Sequence, residues 1–117
     1  DDDLDILESF NIAMKAEGAI THTASDGTAA IVSCIEHMPD AMILDMMLPK
    51  RSGFLVLEEL QHMENPPIVV MVTANEGKRH MAYANSLGVA AYINKPVSLE
   101  KLIDTVSSLL RGSGNPA

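Results

Sequence analysis

The sequence predicts an α/β fold: a three-layer, doubly wound parallel sheet with helices on both faces. Three observations predict it. Helical and strand-like segments alternate strictly, which implies parallel strands joined by right-handed crossovers. Residues 41–44 (AMIL) and 68–72 (IVVMV) are continuous apolar runs, as expected of strands covered on both faces. The 117 residues suit one domain, and a hydrophobic content of 47% is enough for a core. With only 3% aromatics, that core must be aliphatic.

The elements follow in order. From Leu4 to Glu17, Leu7, Phe10 and Met14 form an apolar stripe at helical spacing, flanked by Ile6 and Ala13. Gly18 can end that helix in a left-handed conformation. Residues 19–24 (AITHTA) alternate weakly and read as a short strand. Asp26 suits an N-cap for a helix to about Met38, with Ala30, Ile31, Cys34 and Ile35 inward. Pro39 stops it, and AMIL follows as a strand. Residues 45–53 are a loop, and Ser52 caps a helix over 54–63 that Pro66 and Pro67 close off. IVVMV is the next strand. A polar loop leads to a helix ending near Leu87 and Gly88. Residues 90–93 (AAYI) form a last short strand, and Ser98 caps a final helix with Leu99, Leu102, Ile103, Val106, Leu109 and Leu110 on its apolar face. Residues 112–117 read as a tail or linker after a domain spanning 1–111.

Charge and composition exclude several classes. Sixteen acidic against eight basic residues give a net charge of −8, which repels phosphate backbones and anionic membrane surfaces. No apolar run approaches the roughly 20 residues of a membrane helix. Cys34 is the sole cysteine, so no intrachain disulfide is possible, consistent with the cytoplasm. His22, His37, His62 and His80 are scattered without zinc-ligand spacing. No glycine-rich dinucleotide fingerprint follows any strand.

In parallel α/β sheets, ligands gather at the carboxyl ends of the strands. Asp45 follows AMIL, Thr73 and Ala74 follow IVVMV, and Lys95 and Pro96 follow AAYI. Asp1 and Asp2 would stand at the same edge if a strand preceded them. Clustered carboxylates favour a hard cation such as Mg2+. An aspartate there can act as nucleophile toward a phosphoryl group, with an ammonium and a hydroxyl serving its oxygens.

The acidic cluster DDD, PDAMILDMMLPKRSG around Asp45, VTA at 72–74 and YINKP at 92–96 occur in order and at matching spacing. Together they resemble the receiver domain of bacterial two-component response regulators, over residues 1 to about 111. The resemblance implies a flavodoxin-like (βα)5 fold with strand order 2-1-3-4-5, its first strand absent from the chain. It implies Asp45 as phosphoacceptor, with Thr73 and Lys95 as its catalytic partners. Asp1, Asp2, Asp45 and the backbone carbonyl of Met47 would hold Mg2+, with Asp2 and Asp3 as the alternative register for the acids. Ala74 and Met47 would border the phosphoryl group, and Thr73 and Tyr92 would form the switch. The implied partner is a sensor histidine kinase or phosphotransfer protein. A homodimer through the fourth helix, last strand and last helix is a further expectation, as is the absence of direct nucleic-acid binding.

Two departures matter. Arg51 and Ser52 replace the family's more usual apolar residue and Asp. Met47 and Asn75 occupy the two positions that, in this family, flank the path of attacking water, and a bulky Met47 should slow hydrolysis of the acyl phosphate. Two rival readings are a receiver-like interaction module that works without phosphorylation and an aspartyl phosphohydrolase. The second usually needs another Asp two residues after the nucleophile, where Met47 stands.

Overall fold

The computed structural model describes residues 4–46, 52–73, 78–95 and 98–114. Their elements are α1 (Leu4–Ala16), α2 (Gly27–His37), β1 (Ala41–Asp45), α3 (Gly53–Leu60), β2 (Ile68–Thr73), α4 (Lys78–Ser86), β3 (Ala91–Asn94) and α5 (Leu99–Gly114). The strands form a parallel sheet in the order β1-β2-β3.

Local chemistry sets most boundaries. The Asp26 carboxylate accepts the Ala29 N–H at 2.8 Å and starts α2. The hydroxyls of Ser52 and Ser98 accept from Leu55 and Lys101 at the starts of α3 and α5. Ser52 therefore has a structural reason to occupy its place. Met38 ends α2 in the left-handed region (φ 47°), its N–H bonded to the Cys34 carbonyl. α5 runs to Gly114, into the stretch expected as a tail.

β2 lies between the other strands, and its alternating side chains feed two cores. On one face Val69 and Met71 pack with Cys34, Leu44, Val56, Leu57 and Leu60 from α2, β1 and α3. On the other, Val70 and Val72 pack with Ile93, Leu102 and Val106, and Phe10 and Met14 of α1 join them. A continuous apolar run is thus used on both sides. Each fully buried Leu or Val contributes about 1.5–3 kcal/mol relative to an exposed one.

Three expectations fail. Residues 19–24 form no strand. In the expected order that strand pairs only with the first one, and the described residues include no such strand. Alternation without a neighbour leaves the backbone nothing to pair with. Ile35 is 61% exposed although its spacing suggested an inward position. The buried side of α2 is the narrow line of Gly27 and Cys34, with Ala30 and Ile31 partly covered, and Ile35 sits a step around the helix. Leu99, also expected inward, is 38% exposed at the first turn of α5.

Cys34 is buried on α2, its Sγ 3.9 Å from the Met63 sulfur, and burial pushes its thiol pKa up. A raised pKa means less thiolate at any pH below it. Alkylation of the native chain at pH 8 should therefore run about ten-fold or more slower than for free cysteine, reaching the free rate only in denaturant. Equal native and denatured rates would show that Cys34 is accessible.

Candidate functional site

The carboxyl ends of β1, β2 and β3 converge at one edge because the strands are parallel and in register. Asp45 stands opposite Val72, and Thr73 opposite Asn94. Two of the expected residues meet there directly. The Lys95 ammonium lies 2.7 Å from Asp45 Oδ2 and donates a hydrogen bond to it. The Asp45 side chain is 5% exposed and that of Lys95 24%, so the ion pair is largely shielded from water. A charge-assisted bond in such a site is stronger than one in water.

Thr73 is fully buried at the end of β2. Its carbonyl accepts the Lys95 N–H at 2.7 Å, which anchors the lysine's backbone just past the end of β3. One residue thus holds the chain that delivers the ammonium to Asp45. Tyr92, on β3, is half-buried against the core shared by α2, α3 and α4, and burial raises its phenol pKa. It lies on β3, three residues before Lys95.

The sequence reading missed one contributor, Gly53. Its N–H bonds the Met46 carbonyl at 2.7 Å, drawing the start of α3 onto the strand end that carries Asp45. A Cβ at this position would stand 2.5 Å from the Asp45 carbonyl oxygen and 2.7 Å from the Met46 Cα. Glycine is therefore required by close approach of backbone to backbone. The signal in the sequence was a glycine directly after a capping serine, and it does not say what the glycine approaches.

Asp1, Asp2, Asp3, Met47, Ala74 and Asn75 lie outside the described residues. Asp45 offers one buried carboxylate at this edge, an oxygen donor of the kind that suits Mg2+. The described residues hold no group of three or more His, Cys, Asp or Glu able to bind a metal. The histidines are less scattered than their numbering suggests. His22 and His37 stack with ring centroids 3.5 Å apart and planes 4° from parallel. None of the described helices is long and apolar enough to cross a membrane.

A parallel α/β sheet with a buried aspartate–lysine pair at its strand ends defines a class: α/β domains whose candidate ligand edge lies at the carboxyl ends of the strands. Comparison with known proteins narrows the class. The family model of the response regulator receiver domain matches residues 1–107. The chain is 35% identical over 115 residues to the probable transcriptional regulatory protein TcrX of Mycobacterium tuberculosis, covering 97% of this chain and 49% of TcrX. It is 33% identical over 117 residues to the transcriptional regulatory protein PrrA of Mycobacterium bovis, covering 100% of this chain and 50% of PrrA. The chain therefore spans about half the length of these curated relatives. Among solved structures, a CheY-like receiver domain from Methanospirillum hungatei superposes with a TM-score of 0.93 at 23% identity, covering 100% of this chain and 94% of that one. The receiver domain of a Francisella response regulator gives 0.89 at 25% identity, covering 97% of this chain and 93% of that one.

The chain belongs to the response regulator receiver domain family. It is a flavodoxin-like receiver of two-component signalling. Its β1-β2-β3 order agrees with strands 3-4-5 of the expected 2-1-3-4-5 arrangement. Receiver domains as a family depend on Mg2+ and interact with histidine kinases or phosphotransfer proteins.

Proposed function

We propose that Asp45 is the phosphoacceptor of this receiver domain and that Lys95 and Thr73 serve the transferred group. The observation that carries this reading is the 2.7 Å ion pair between a buried Asp45 and Lys95. In the transfer, an Asp45 carboxylate oxygen attacks phosphorus, the nitrogen–phosphorus bond of a donor phosphohistidine breaks, and the imidazole leaves with a proton. Lys95 is placed to move from the carboxylate to a phosphoryl oxygen as negative charge shifts outward. Thr73 ends the adjacent strand, where its hydroxyl can donate to another oxygen. Asp45 suits Mg2+, and with it we assign Asp1, Asp2 and the Met47 carbonyl. The cation, when bound, neutralises charge on the incoming group. Ala74 would leave room for that group. ATP-derived phosphoryl groups make the cytoplasm the compartment this reading requires.

We assign the conformational readout to Thr73 and Tyr92. A shift of the buried hydroxyl toward phosphate would free space that Tyr92 can take, biasing a two-state equilibrium. The partner or second copy would meet the face of α4, β3 and α5. The net charge of −8 supports a protein partner over direct nucleic-acid contact.

Incubation with a small phosphodonor and Mg2+, read by intact mass and peptide mapping, tests the assignment. One phosphoryl group on Asp45, lost in Asp45→Ala, is the expected result. Labelling elsewhere, or none, would leave the interaction-module reading in its place. A second test concerns lifetime. Met47→Asn should shorten the half-life of the acyl phosphate several-fold, by about 1 kcal/mol of barrier. An unchanged half-life would remove Met47 from the path of water.

A further inference from the structure

α4 has little apolar surface with which to hold itself to the domain. Among its described side chains, from His80 to Ser86, Ala84 alone is buried. A helix of nine residues is too short to persist on its own in water, and one buried methyl group adds little. Something else must keep it in place.

Its carboxyl end is fixed by the chain that follows. Leu87 and Val89 pack against the core, and the Gln61 side-chain amide donates to the Leu87 carbonyl at 2.6 Å. The rest is held by α3. The Tyr83 phenol donates a hydrogen bond to the Glu58 carboxylate. The Phe54 ring meets Tyr83 edge-on with centroids 5.2 Å apart, and meets His80 at 5.7 Å.

This clasp is built on the stretch of chain that touches the end of the Asp45 strand. Phe54 directly follows Gly53, whose N–H is bonded to the Met46 carbonyl. Glu58 stands four residues further, one turn along the same helix face. A displacement at the Asp45 strand end therefore reaches α4 through a single turn of α3. Phe54 and Leu87 also pack against the same core as Tyr92. The clasp is closed while Asp45 is unmodified and paired with Lys95.

We propose that the Tyr83–Glu58 clasp is a restraint on the switch. It holds α4 in the arrangement that accompanies an unmodified Asp45, and it must open when Asp45 carries a phosphoryl group. The inference rests on the reading of Asp45 as phosphoacceptor. Linkage then fixes the sign: a bond that must open lowers the affinity for the group that opens it, so removing the bond raises that affinity by the same factor.

Two readouts keep the clasp and the phosphoacceptor reading apart. Hydrogen exchange of the free chain, without phosphodonor or Mg2+, reports on the clasp alone. Amides 82–87 should exchange about three- to ten-fold faster in Tyr83→Phe, which keeps the ring on Phe54, and in Glu58→Ala; this is the usual net effect of one hydrogen bond. The double variant should be no faster than either single one, because both remove the same bond. Calorimetric titration with Mg2+ and beryllofluoride, an acyl-phosphate mimic, reports on the coupling, and the apparent Kd should fall by the factor seen in exchange. Unchanged exchange, or additive effects in the double variant, would overturn the clasp. Faster exchange with an unchanged or weaker Kd would show that the bond does not restrain the switch. A parent chain that binds no beryllofluoride, with the exchange effect intact, would sink the phosphoacceptor reading and the restraint together while leaving the clasp as a structural bond.

Discussion

Lys95→Ala should lower the rate of phosphoryl uptake from a small phosphodonor by about 10²-fold or more, the usual cost of removing one preorganised stabiliser of developing charge. The ammonium is held 2.7 Å from the Asp45 carboxylate, with the Lys95 backbone anchored on Thr73, so in the proposed transfer it needs little rearrangement to meet the incoming group. The substitution acts on stability as well. It takes the ion-pair partner from a carboxylate that is 5% exposed, at a cost of roughly 1–3 kcal/mol given that Lys95 itself is partly wet. Both effects are measured on one sample, uptake by intact mass and stability by urea unfolding. Lys95→Arg keeps the charge and should recover part of the stability but less of the rate, because a planar guanidinium does not replace a compact ammonium. Uptake at the parental rate in folded Lys95→Ala would remove this residue from the site.

Gly53→Val should be the most damaging single change near the site for stability. Even its Cβ would stand 2.5 Å from the Asp45 carbonyl oxygen and 2.7 Å from the Met46 Cα, backbone atoms at the end of β1, where Asp45 pairs with Val72 of β2. Relief requires α3 to move away, which breaks the 2.7 Å bond from the Gly53 N–H to the Met46 carbonyl. Overpacking and a lost buried bond together cost about 2–4 kcal/mol, enough to lower the midpoint of thermal unfolding by about 10 °C. Gly53→Ala should fall part of the way. The same displacement would shift Asp45, so uptake should fall in the folded fraction too. A midpoint within a degree or two of the parent would mean that the approach of α3 to β1 is looser than the structure has it.

Much of the site was legible because parallel α/β topology converts position along the chain into position in space. A residue that follows a buried apolar strand must emerge at the carboxyl edge, so Asp45, Thr73 and Lys95 could be assembled from their order alone. The capping residues Asp26, Ser52 and Ser98 were legible for a different reason, since a cap is satisfied by backbone groups three residues away. Gly53 was not legible, because its constraint is an approach between two segments. The pairing of His22 with His37 was hidden for the same reason.

By itself, then, the sequence determined the alternation of elements, the aliphatic two-sided core and the edge where the polar residues gather. These depend on local periodicity, on caps and on the handedness of crossovers. Only the tertiary structure decided that residues 19–24 stay out of the sheet and that α2 turns Ile35 outward. A strand exists only where a neighbour completes its hydrogen bonds, and a helix face is buried only where something lies against it. Neither condition is written in the segment concerned.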